Sequence, residues 1–128
     1  VLLNLAYLKP KDGEGQPIRP SDLERVRKGD IVLMWSPYQG EEAPYISPEA
    51  AKSLQERGIK MLGIQGVGHE PRGSVASHEL LLKNEIPIVE RLDHLDRIRK
   101  ERFFFIGLPI KISGIDSSWI RAVALEEL

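Results

Sequence analysis

Short apolar runs that alternate with helix signals constrain the fold of this chain most. The runs at 30–35 and 59–64 are almost wholly apolar, which is typical of strands buried on both faces of a sheet. Between them, Ser47-Pro48-Glu49 places an N-cap serine, a proline and an acid at a helix start. We therefore expect a helix over 47–57 that stops at Gly58. This strand–helix–strand repeat implies crossover connections and a largely parallel sheet.

Local patterns elsewhere in the chain extend this scheme. A capping-box pattern at Ser21 and Glu24 predicts a helix over 22–28. No repeat, low-complexity tract or linker interrupts the 128 residues, so we expect one α/β domain over 1–128, with a mixed, largely parallel sheet and flanking helices. The other predicted elements are strands at 2–7 and 86–90, helices at 75–85 and 92–98, and three closing strands at 103–108, 110–115 and 120–125.

Composition excludes several classes of protein. The chain has no cysteine, which rules out a disulfide scaffold, a cysteine-ligated zinc site and a thiol nucleophile. Its 18 basic and 19 acidic residues give a net charge of -1, so we expect no nucleic-acid partner held by a basic field. No apolar run approaches the ~20 residues that span a bilayer. We expect no membrane partner and a cytoplasmic location.

Two of the three histidines lie in polar surroundings. His94 falls in a dense run of charged residues, and we interpret it as part of a solvated face. His69 follows a predicted strand in a glycine-rich loop, where open α/β sheets place their ligands. A polar residue that simply faces the solvent would explain it equally well. The glycines at 63, 66 and 68 do not have dinucleotide-binding spacing, so a nucleotide-binding module is a distant third class of function.

His78 and Glu90 are the more informative pair. His78 begins an apolar helix, and Glu90 closes the apolar strand at 86–90. A carboxylate on a buried strand needs a cation, because an unpaired buried charge is costly. From the residues alone, Glu90 pairs either with one of the many arginines or with a metal, and His78 is either a capping or core histidine or a ligand.

Several segments together resemble the cyclase family, the metal-dependent hydrolases that include bacterial kynurenine formamidase. The resemblance covers about 1–125 and implies the family's swivelling β/α/β fold. It rests on the order and spacing of these segments: Lys28 to Leu33, Ser47 to Ile64, Ala76 to Leu82, Ile86 to Leu92, His94-Leu95, Phe104 to Pro109, Lys111 to Ser118 and Ile120 to Ala124.

The resemblance implies a hydrolase of small amides, arylformamidase-like. In the family, the histidine followed by two leucines and the glutamate of the next strand are metal ligands; here those positions are His78 and Glu90. The implied cofactor is a divalent ion, zinc or manganese, which activates a water against an amide carbonyl. A neutral imidazole and a carboxylate are suitable ligands for it. Gln65 and His69, in the loop after the central strand, are the candidate substrate-binding residues.

The sequence departs from the family pattern in two places. The family's main metal motif, His-x-Gly-Thr-His-x-Asp, does not occur, and Gln65 stands where the family usually has an aspartate. The first hypothesis is therefore a hydrolase whose carboxyl-terminal half this is, with an incomplete site completed by an upstream segment or a partner chain. The second is an inactive stand-alone domain that binds or assembles. In either case, we expect homo-oligomers.

Overall fold

The computed structural model describes residues 1–68, 70 and 73–127 of the chain. Its centre is a four-stranded sheet in the order β1-β3-β5-β6, with every neighbouring pair parallel. Helices lie in the β3-to-β5 and β5-to-β6 connections, which confirms the predicted α/β fold. The elements of this unit are β1 (Leu2–Asn4), β3 (Ile31–Trp35), α1 (Pro48–Glu56), β5 (Met61–Gln65), α2 (Ala76–Lys83) and β6 (Ile88–Val89).

Helix α1 begins and ends where the sequence predicts. The Ser47 hydroxyl accepts a hydrogen bond from the Ala50 amide at 3.1 Å, and Pro48 occupies the first turn. At the other end, Gly58 adopts a left-handed φ of +66°, a conformation that ends helices with little strain in glycine. The N-cap bond satisfies an amide that the helix itself leaves without a partner.

The core lies between the sheet and the two helices. Side chains from β3, β5, α1 and α2 meet there and are fully or almost fully shielded from water. Val32 and Met34 of β3 belong to this core. Leu33 points to the other face of the sheet and is also buried, which confirms that this strand is buried on both faces. The main helical contributions come from Ala50, Ala51, Leu54 and Leu81.

The predicted helix over 22–28 is wrong. The chain makes only a single 3-10 turn, Pro20–Leu23, and it is Asp22 that closes it, accepting a hydrogen bond from the Arg19 amide at 2.7 Å. Ser21 lies inside the turn instead of capping it. Leu23 is then buried in the core, and a turn suffices to bring it there.

The carboxyl-terminal region also differs from the prediction. Only two closing strands form, β7 (Phe104–Pro109) and β8 (Ile120–Leu125), which pair as an antiparallel hairpin. The segment 110–115 is not a strand: it follows Pro109, turns at once through an Ile112-to-Ile110 backbone bond, and reaches Gly114 with a φ of +81°. The predicted helix at 92–98 is a 3-10 turn, Leu95–Arg97.

A small parallel pair completes the described structure. It joins β2 (Pro17–Ile18) to β4 (Tyr45–Ile46), and an isolated bridge continues it from Tyr45 to Gly68. This pair and the bridge connect the loop between β1 and β3 to the segment that follows β5. In the described part of the chain, no helix has the length and apolar character needed to cross a membrane.

Candidate active site

A cleft of about 560 Å³ opens beyond the carboxyl ends of β5 and β6. This is the edge of a parallel sheet where ligands usually bind. The floor is the backbone of the loop after β5, where Gly66 has a φ of +64° and approaches the carbonyls of Ser36 and Tyr38. The cleft is lined by Gln39, Gly40, Ala43, Ile64, Gly66, Val67, Gly68, Glu90 and Arg91.

The fold brings His78 beside Glu90, which lines this cleft. His78 is the third residue of α2, and Glu90 directly follows β6. The connection from α2 to β6 reverses the chain direction, and this places the two side chains next to each other. The Nε2 atom of His78 lies 3.5 Å from Oε1 of Glu90. The side chains are 32% and 49% exposed, and Glu90 is the member of the pair that lines the cleft. The two residues selected from sequence thus form one polar pair.

Glu70 contributes to the same corner through a contact that no local sequence pattern predicts. Its Oε1 accepts a hydrogen bond from the His78 backbone amide at 2.7 Å. Val75, the N-cap residue of α2, has no side-chain acceptor, so Glu70 supplies the missing cap from the preceding loop. A carboxylate at a helix amino terminus is stabilised by the helix dipole. Glu70 therefore fixes the helix turn that holds His78.

Gln65 lies at the end of β5 and links it to the segment after β6. Its Oε1 accepts a hydrogen bond from the Leu95 amide at 2.8 Å, and its Nε2 donates to Oδ1 of Asp93 at 3.3 Å. The side chain therefore holds the turn around His94 against the sheet. Its predicted role in substrate binding stays a prediction.

Of the other two histidines, only His94 lies among the described residues. His69, the second predicted substrate-binding residue, lies outside the described residues. His94 has an exposed side chain (58%) beside Asp93, as the prediction of a solvated face requires. Within residues 1–68, 70 and 73–127, no three histidine or acidic side chains converge as a metal site would require.

Known proteins with similar sequences include kynurenine formamidases. No protein-family model matches the chain. The uncharacterized protein MJ0783 of Methanocaldococcus jannaschii is 34% identical over 122 residues, covering 88% of this chain and 64% of that protein. The kynurenine formamidase of Erythrobacter litoralis is 28% identical over 123 residues (89% and 56%), and that of Bacillus anthracis 32% over 82 residues (62% and 39%). The chain thus spans less than two thirds of the length of these relatives.

Solved structures agree on the fold. One described as a potential metal-dependent hydrolase with cyclase activity superposes with a TM-score of 0.81 at 21% identity, covering 99% of this chain and 64% of its own. A predicted metal-dependent hydrolase from Bacillus stearothermophilus gives 0.77 at 21% identity, covering 96% and 60%. The fold is therefore that of the cyclase-like hydrolases. With the sequence relatives, this confirms the resemblance to the cyclase family of metal-dependent hydrolases, which includes the kynurenine formamidases.

Proposed function

We propose that this chain carries part of the active site of a divalent-metal-dependent hydrolase of small amides, arylformamidase-like. The observation that carries the proposal is the His78–Glu90 pair, with 3.5 Å between Nε2 and Oε1 and with Glu90 lining the cleft. The kynurenine formamidases among its relatives favour an amide as substrate.

The pair fits a shared ion. Protein nitrogen and carboxylate ligands bind zinc at about 2.0–2.2 Å, so two donors on one ion lie at most about 4.3 Å apart. The separation of 3.5 Å is within that limit. When bound, a zinc or manganese ion would lower the pKa of a water and polarise the amide carbonyl.

The chain's own residues prepare this arrangement. Glu70 fixes the first turn of α2 through the His78 amide, which limits the positions open to the imidazole. The backbone of 66–68 lines the same cleft as Glu90. Gln65 and His69 are proposed to contact the substrate at this edge.

The site needs more than this pair. Catalytic zinc sites usually have three protein ligands, and the described residues do not bring three such side chains together. We propose that the remaining ligands, and the group that transfers protons, belong to an upstream segment or to a partner chain. The relatives are long enough to contain such a segment, since the matched region covers 64% or less of them.

An alternative function is a binding or assembly module that keeps the fold without hydrolysis. What favours it is that the described residues lack a third ligand, and that Gln65, in place of the family's aspartate, is hydrogen-bonded within the protein.

Metal content separates the two proposals. The protein, purified together with the upstream segment or partner chain proposed to complete the site, would be analysed by mass spectrometry of its metals. His78→Ala and Glu90→Gln would be analysed beside it, with His94→Ala as the matched control because His94 is an exposed histidine beside an acid. A hydrolase predicts a stoichiometric divalent ion that both site variants lose and the control keeps, together with cleavage of an N-formyl aromatic amide. A metal-free wild-type protein, or full metal in both site variants, would overturn the hydrolase proposal.

A further inference from the structure

Arg91 directly follows Glu90 and, like it, lines the cleft beyond β5 and β6. Among the described residues that line this cleft, these two are the ones that carry a charge. The proposed metal site uses Glu90 and assigns no role to Arg91. The backbone around Arg91 departs from a regular strand in two ways, and both affect where its side chain lies.

The first departure is a bulge in the pairing of β5 with β6. The two strands are in parallel register, with Gly63 opposite Val89. In a regular parallel ladder, the carbonyl of Ile64 would then accept a hydrogen bond from the amide of Arg91. It accepts one from the amide of Leu92 instead, at 3.0 Å, so Arg91 is an extra residue on this side of the pair. Bulges often lie next to active sites, where they redirect a side chain.

The second departure is the left-handed backbone of Arg91, which has a φ of +54°. Among the described residues other than glycine, Asp12, Glu85 and His94 also have a positive φ. Aspartate and histidine adopt it more readily than most residues, and Glu85 follows the end of α2, where helices commonly finish in this conformation. Arg91 has neither explanation. Strained backbone clusters at ligand sites, and of these four residues Arg91 is the one that lines the cleft.

The bulge explains how two consecutive charged residues line one cleft. In a regular strand, successive side chains point to opposite faces of the sheet, so the residue after Glu90 would face away from it. The extra residue with its left-handed backbone breaks that alternation. A conformation that is costly for arginine thus places a cation beside a proposed metal ligand.

The charge of Arg91 is available to a ligand. Within the described part of the chain, its guanidinium makes no hydrogen bond or ion pair, whereas Arg25 and Arg102 pair with carboxylates. Glu90, the acid of the described cleft lining, lies 3.5 Å from His78, where its charge is proposed to bind a metal ion. With Glu90 engaged in this way, the remaining charge of the described lining is positive.

We propose that Arg91 selects substrates that carry a carboxylate in addition to the amide that is cleaved; this selectivity rests on the proposed hydrolase function. A guanidinium presents its N–H groups in a planar fork that matches a carboxylate, and such charge-assisted pairs are stronger than neutral hydrogen bonds. The cleft volume of about 560 Å³ is within the usual range of small-molecule sites. Arg91 holds the carboxylate, which orients the amide relative to Glu90.

Matched substrates test this selectivity. The protein, together with the upstream segment or partner chain proposed to complete the site, would be assayed with the three isomers of formamidobenzoate and with formanilide, which lacks the carboxylate. We expect a higher kcat/KM for the best of the three acids than for formanilide. Arg91→Asn should lower this ratio about 10- to 100-fold, the range expected for loss of a hydrogen bond to a charged group.

Two further variants keep the assay interpretable. Asparagine and glycine both tolerate the left-handed backbone, so Arg91→Asn and Arg91→Gly should keep the wild-type circular dichroism spectrum and should lower the ratio alike. Arg97→Asn is the matched control, because Arg97 is also exposed and is not among the residues that line the cleft. It should leave the ratio unchanged.

Binding of the products separates the role of Arg91 from hydrolysis itself. Calorimetric titration with the aminobenzoates and with aniline needs no turnover, and Arg91→Asn should weaken binding of the acids by a similar factor. Such binding without cleavage of any formamide would refute the hydrolase proposal and support the carboxylate site. Cleavage with a preference for formanilide, or with a ratio and an acid affinity that Arg91→Asn leaves unchanged, would overturn the role of Arg91 alone. Neither cleavage nor binding of the acids would overturn both.

Discussion

Replacing Gly66 by alanine should destabilise the protein far more than the same change at a matched glycine. Gly66 has a φ of +64°, and an added Cβ would lie 2.1 Å from the carbonyl oxygen of Ser36 and 2.7 Å from that of Tyr38. The left-handed backbone costs alanine about 1 kcal/mol, and forcing backbone apart adds about 1–3 kcal/mol. We therefore expect a loss of about 2–4 kcal/mol for Gly66→Ala.

Gly13→Ala is the control for this change. Gly13 has a φ of +79°, but an added Cβ there meets nothing within 4 Å, so only the backbone cost of about 1 kcal/mol applies. Urea unfolding of both variants measures the difference in the free energy of unfolding. If the two variants differ by less than about 0.5 kcal/mol, then the close packing of the Gly66 loop on the segment after β3 does not stabilise the cleft as described.

Three further predictions concern caps and titrating groups. Ser47→Ala removes the N-cap bond of α1 and should cost about 1 kcal/mol in urea unfolding. Burial alone would raise the pKa of Asp30, but hydrogen bonds from a backbone amide and from Arg102 hold that pKa below its usual range. The carboxylate thus stabilises the fold above about pH 4, and the stability difference between wild type and Asp30→Asn should fade as pH drops below that. Partial burial, followed by the hydrogen bond to Asp22, raises the pKa of Tyr7 to about 12; ultraviolet titration should show one late phenol that Tyr7→Phe removes and Asp22→Asn shifts down.

The parts of the fold that sequence predicted are those specified by local signals. Helix α1 has its cap, its proline and its terminating glycine within a dozen residues, and both ends were found. The strands at 31–35 and 61–65 are apolar enough to be buried wherever they pair. By contrast, the apolar run at 110–115 satisfies a strand pattern but has no neighbouring strand to receive it in the described structure, and Pro109 removes a backbone donor where it begins.

The candidate site was also predictable only in part, because its contacts depend on how separate segments of the chain pack together. The family resemblance selected His78 and Glu90, but their 3.5 Å separation depends on how α2 returns to β6. Glu70 caps α2 from eight residues before His78, across a loop, so no spacing rule finds it. Contacts of this kind, between different elements or across a loop, can be identified only in the folded structure.

The most direct test of the metal-site proposal is the position of a metal ion in crystals grown with zinc or manganese, of the protein together with the upstream segment or partner chain proposed to complete the site. Anomalous scattering locates the ion independently of any assay. We expect an ion at about 2.0–2.2 Å from both Nε2 of His78 and a carboxylate oxygen of Glu90. An ion bound elsewhere with this pair still in direct contact, or no ordered ion at all, would contradict it.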